Sequence, residues 1–92
     1  TYGRFGRMRL GYLKEHRRAT YINLKTSGQL IHHLNEIDRE ANEMLRLLIE
    51  QMARAHGITE QLKVEDQMAW VGTMNNIRSA AEEVVLRDII NC

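Results

Sequence analysis

Between residues 29 and 56, apolar side chains recur at Leu30, Leu34, Ile37, Ala41, Met44, Leu48, Met52 and Ala55, with every gap three or four. At 3.6 residues per turn such a series falls on one face, which predicts a single long amphipathic helix. The opposite face carries Glu36, Arg39, Glu40, Glu43, Arg46, Glu50 and Arg54, with Glu50 and Arg54 in the favourable acid-before-base order. Thr26 with Gln29 predicts a capping box at the start. Gly57 after His56 predicts the stop. At about 1.5 Å per residue this rod is roughly 40 Å long.

A second stripe follows at once: Leu62, Ala69, Trp70, Met74, Ile77, Ala81, Val84, Val85 and Ile89. Thr59 suits its N-cap, and Glu60 the positive end of its dipole. Asp66 falls on the stripe and interrupts it. Either the helix kinks there, or a short turn over 59–63 precedes a main helix capped near Glu65 or Asp66. The tight link at Gly57–Ile58 makes the two rods antiparallel. Before them, Phe5, Met8, Tyr12 and Leu13 predict a helix over about 4–16, weakened by Gly6 and Gly11. Tyr21, Ile22 and Leu24 predict a short one over about 18–25. Proline is absent from all 92 residues, so the long stretches carry no helix breaker. The expected fold is all-α: a long antiparallel two-helix hairpin with two shorter N-terminal helices packed on it. One domain, 1–92, comprises a basic helical segment over 1–27 and the hairpin over 28–92.

Composition is globular, with 43% hydrophobic and 27% charged residues. No apolar run approaches the roughly 18 residues that span a bilayer, and no signal-peptide pattern occurs. The single cysteine, Cys92, cannot form an internal disulfide, which suits a reducing, cytoplasmic setting. A chain that opens on Thr1 is expected to lack some N-terminal residues. The short chain leaves apolar surface that a second copy would cover, so a symmetric homodimer is expected.

The net charge of +1 conceals a division. Residues 1–25 hold Arg4, Arg7, Arg9, Lys14, Arg17, Arg18 and Lys25 against Glu15 alone, a net +6, while the remainder holds six basic and eleven acidic side chains, a net −5. Such asymmetry points to a partner more than the total does. Those seven cations, interleaved with Tyr2, Phe5 and Tyr12, are the candidate phosphate contacts of a nucleic-acid-binding segment. Two alternatives stand beside it: the segment docks on the acidic faces of its own hairpin, or it meets an acidic surface on another protein. A helix-turn-helix is conceivable over residues 18–25, Thr26-Ser27-Gly28 and the following helix. However, Glu36, Glu40 and Glu43 on that second helix would repel phosphates, so the basic segment should lead.

Catalytic and metal chemistry find little support. His32 or His33 with Glu36 could share a helix face, yet a metal site needs about four ligands, and nothing supplies the rest. Gly3-Arg4-Phe5-Gly6 matches neither the Walker nor the dinucleotide pattern. Ser27, Ser79 and Cys92 lack triad context. Trp70, Met68 and Met74 read as core, and Glu82-Glu83 and Glu65-Asp66 as solvated or capping charges. No enzyme, cofactor or metal is expected.

Several blocks resemble a known family. Gly6-Arg7-Met8-Arg9-Leu10 followed by Tyr12-Leu13-Lys14-Glu15-His16-Arg17 is similar to the opening of the TnpV proteins. So are Ser27-Gly28-Gln29-Leu30, His33-Leu34 and Glu36-Ile37-Asp38. Asp66-Gln67-Met68, Trp70-Val71, Met74-Asn75, Ile77-Arg78 and Ala81-Glu82-Glu83 resemble its C-terminal block. The resemblance covers essentially the whole chain. It implies a protein carried by a mobilisable transposon, with a DNA-binding accessory, excisionase-like or regulatory role and no catalytic residues. Members usually carry a further N-terminal extension. The expectation is a small non-enzymatic accessory protein contacting DNA through the seven cations. Its alternative is a module docking on a recombinase or a host protein.

Overall fold

The computed structural model describes residues 1–92. Helix α1 spans Arg4–His16, α2 Arg18–Thr26, α3 Leu30–Ala55, α4 Glu60–Glu65 and α5 Gln67–Val85, and a π-helical turn, Leu86–Ile90, closes the chain. Helices account for 85% of the residues and there are no strands, as the periodicities predict.

The helix ends follow local chemistry. Gly57 adopts φ +68° and ends α3, with Ile58 N–H reaching back to the Ala53 carbonyl at 2.9 Å. This is the left-handed residue that glycine occupies without a Cβ penalty. Gly28, at φ +74°, ends α2 in the same way, with Gln29 N–H bonded to the Leu24 carbonyl at 2.9 Å. The expected capping box is not formed. Thr26 is the last residue of α2, and its hydroxyl donates to the Ile22 carbonyl at 2.8 Å. Gln29 caps α3 with no side-chain bond. The glycine two residues on makes Thr26 the end of one helix before it can start the next.

The second stripe is broken at Asp66. Thr59 Oγ1 accepts from Leu62 N–H at 3.2 Å and starts α4. Asp66 Oδ1 accepts from Ala69 N–H at 3.1 Å and starts α5. The aspartate that seemed misplaced on an apolar face is thus an N-cap. Ala69, expected inside, is exposed as a result.

Beyond that break α5 lies back along α3. Ala41 of α3 shares a core with Val85 and Ile90, flanked by Ile37, Met44, Leu45 and Leu48. Farther along, Met52 and His56 border the same depression as Thr73, Asn76 and Ile77. Helix α1 covers the end of this pair where α3 begins and α5 finishes, and inserts Phe5 and Leu13, which are 2% and 0% exposed. The body measures 55 × 21 × 18 Å with a radius of gyration of 16.7 Å. A compact chain of this length would have about 12 Å. Ten residues are buried, and none of them lies between Asn42 and Asn76.

The π turn has a packing role. Asn91 N–H bonds to the Leu86 carbonyl five residues back at 2.8 Å. A helix continuing at 3.6 residues per turn would bring Ile89 inward after Ala81 and Val85. The wider turn brings in Ile90 as well, which is 1% exposed and belongs to the Phe5 cluster, while Ile89 packs against that cluster half-buried.

Candidate nucleic-acid interface

The basic segment is shaped by its attachment to the rest of the chain. At the start of α1, Gly3 supplies no capping side chain. Asp38 of α3 takes that place, its Oδ1 accepting from Gly6 N–H at 3.1 Å while Asn42 Nδ2 donates to Oδ2 at 3.2 Å. The α1 terminus therefore already holds an anion, and no phosphate is needed there. The backbone packs tightly around it. A Cβ on Gly6 would lie 2.6 Å from that of Tyr2, and one on Gly3 would lie 3.2 Å from Asp38 Oδ1.

The seven candidate cations divide into three groups. Arg9 is inside, only 9% exposed. Its Nη1 donates to the carbonyls of Ile90 and Cys92, both at 2.9 Å, and its Nε to His33 Nε2 at 3.4 Å. It ties α1 to the end of the chain and to α3, so it is not available as a phosphate contact. The signal was in the spacing: Phe5, Arg9 and Leu13 are four apart and share one face. Arg4 is partly committed, pairing with Glu82 at 3.1 Å and lying 4.5 Å from the Phe5 ring centroid.

The third group is Arg7, Lys14, Arg17, Arg18 and Lys25, all exposed. None has a carboxylate within ion-pair distance. Tyrosines are set among them. The ammonium groups of Lys14 and Lys25 lie 5.6 and 5.8 Å from the Tyr21 ring centroid, and the Arg17 guanidinium lies 5.9 Å from that of Tyr12. Arg7, Gly11 and Lys14 fall on one side of α1, away from Phe5 and Leu13. A Cβ on Gly11 would meet nothing within 4 Å.

The acidic face of α3 finds its counter-charges within the helix. Arg39 pairs with Glu36 at 3.5 Å, Arg46 with Glu43 at 2.8 Å and Glu50 at 3.2 Å, and Arg54 with Glu50 at 2.9 Å. The Arg46 hydrogen bond holds the Glu43 carboxyl below the usual range, and the guanidinium is raised in turn. None of these carboxylates meets a cation of α1 or α2, so no ion pair holds the basic segment to this row of α3.

The histidines are separated by function. His32 Nε2 lies 3.4 Å from Glu36 Oε1 on the exposed side. His33 turns inward to Arg9, and burial, followed by the Arg9 charge, lowers its pKa below the ordinary 6.5. No group of three or more His, Cys, Asp or Glu side chains converges in a geometry that could hold a metal ion. No helix is long and apolar enough to cross a membrane.

No curated protein and no solved structure matches this chain. One family model does, over residues 1–90, which takes in both the cationic helices and the buried Arg9 clamp, and by that match the chain belongs to the family of the transposon-encoded protein TnpV.

Proposed function

We propose that this transposon-associated protein is a non-enzymatic accessory factor that binds DNA through α1 and α2. In this reading α3 and α5 are the two arms of an antiparallel hairpin that serves as scaffold, and the protein works in the cytoplasm. The observation that carries it is the exposed set Arg7, Lys14, Arg17, Arg18 and Lys25, unpaired with any carboxylate of the same chain. Such groups displace counterions from phosphates, giving affinity with little base specificity. Gly11 adds support. A glycine within a helix costs about 1 kcal/mol relative to alanine, yet nothing inside the chain requires one there. Bare backbone between Arg7 and Lys14 lets a sugar-phosphate chain approach closely.

A mobility-shift titration at two salt concentrations tests this. Five phosphate contacts give a log–log salt slope of about −4 to −5. Binding that is undetectable, or indifferent to salt, removes the proposal. Gly11→Ala sharpens it: stability should rise by about 0.5–1 kcal/mol while affinity falls.

A second reading is docking on a recombinase or a host protein. Val64 and Met68, 84% and 85% exposed at the other end of the molecule, favour it. A complex with such a protein that survives high salt would be its mark.

A further inference from the structure

The two ends of the 55 Å body carry opposite charge, and each exposes apolar side chains that the chain leaves uncovered. At one end, α2 has no buried residue. Arg18, Ile22 and Lys25 fall on one of its faces, at i, i+4 and i+7, and Ile22 is 47% exposed. No carboxylate occurs between Arg17 and Gln29.

At the other end, Val64 and Met68 are the most exposed large apolar side chains of the molecule. The same stretch, Gly57–Val71, carries Glu60, Glu65 and Asp66, with Lys63 its one cation. None of the three carboxylates is in an ion pair. Glu65 accepts from the neutral Gln61 at 2.9 Å, and Asp66 from Ala69 N–H. The Lys63 ammonium sits 4.8 Å from the Trp70 ring centroid. Between the two ends runs α3, 26 residues long, so no copy can bring its own α2 to its own α4.

We propose that the end formed by α4 and the start of α5 receives α2 of a second copy of this chain, so that the protein associates head to tail. Ile22 lies against Val64 and Met68, and Arg18 and Lys25 lie against Glu60, Glu65 and Asp66. Pairing like ends would put cations against cations or carboxylates against carboxylates, which costs affinity and rejects that geometry. A symmetric pair that joins like ends is therefore disfavoured, whereas two antiparallel copies lying side by side make both unlike contacts and close as a dimer. Copies joined in line instead leave one free head and one free tail, and continue into a ring or an open chain. One short helix on a helix end buries less than a standard interface, so the association is weak and salt-sensitive. It does not require nucleic acid, although Arg18 and Lys25 also belong to the proposed phosphate contacts, so DNA and a second copy would compete for them.

Sedimentation of the full chain across the micromolar range tests it. The wild type should associate as concentration rises, stopping at a dimer if copies close antiparallel and growing further if they join in line, and raising the salt should weaken the association. Ile22→Asp blocks the head, and the double variant Val64→Asp/Met68→Asp blocks the tail. All three positions are exposed, and unchanged helical circular dichroism checks each fold. Each blocked variant alone should be a monomer. An equimolar mixture of the two should give a one-to-one dimer and nothing larger. A wild type that stays monomeric, a blocked variant that still pairs with itself, or a mixture that fails to pair overturns the proposal.

Discussion

The two halves of the long body are built from the same helices, yet only one of them has a core. Where α1, the first half of α3 and the last half of α5 meet, Phe5, Leu13, Leu34, Ala41, Ile77, Ala81, Val85 and Ile90 are buried. From Asn42 to Asn76 no residue is. The α3 stripe is as apolar at Met52 as at Leu34, so periodicity does not distinguish the halves. A third layer does. Two helices side by side leave each apolar stripe open along its flanks, and α1 closes them at one end only. Stability should therefore be concentrated near the chain termini, with the far arm opening at lower free energy.

The largest test of that contrast is truncation at equivalent stripe positions. Leu34→Ala, at a fully buried site, should cost about 2–5 kcal/mol in urea unfolding. Met52→Ala, half-buried in the arm, should cost less than about 1.5 kcal/mol. Equal losses would erase the distinction.

Next in size is Arg9→Met, which keeps the aliphatic stem but leaves the Ile90 and Cys92 carbonyls without their donor. A loss of about 1–3 kcal/mol is expected. Amide exchange should accelerate in the π turn and α1 while the arm is little changed. Acceleration spread evenly over all helices would deny Arg9 its local tie.

Asp38→Ala should cost about 1 kcal/mol, the usual value of a lost cap. Asp38→Asn, which keeps an acceptor, should recover most of it. Exchange at Gly6 and Arg7 reports the site directly.

The smallest effect is on pH dependence. His33 is neutral in the fold, accepting from Arg9 Nε. Burial and then Arg9 lower its pKa, with His32 adding to this and Glu36 and Glu40 opposing it. A group whose folded pKa is depressed leaves the unfolded chain binding more protons. Its contribution is thus full above the ordinary 6.5 and declines as pH falls from there through the lower folded value. Urea unfolding at neutral and mildly acidic pH should show the decline, and His33→Gln should flatten it. An unchanged slope in that variant assigns the dependence to other groups.

Much of this was legible beforehand. The three- and four-residue spacings placed α3 and the extents of α1 and α2, and Gly57 marked the turn. Asp66 on the stripe leaves a kink and a new helix start as alternatives, and its cap on Ala69 N–H decides for the new start. Features set by tertiary contact were harder to read. Charge groups Arg9 with its neighbours, whereas its register with Phe5 and Leu13 points inward. Asp38 caps a helix 32 residues away, which no local motif encodes. Ile90 is the fully buried residue and Ile89 only flanks it because the backbone widens by one residue, a choice made by packing against Phe5 rather than by the sequence period. Of the proposed cationic site, charge alone indicated seven members. Burial and pairing set Arg9 and Arg4 apart from the other five.

The clamp between Arg9 and the carbonyls of Ile90 and Cys92 also orders events in time. Its partners are 81 and 83 residues apart, so a ribosome must release nearly the whole of this sequence before the core can shut. Until then α1 and α3 display their oily stripes together with the full cationic complement, Arg9 included, and only the emergence of Ile90 and Cys92 draws that arginine inward.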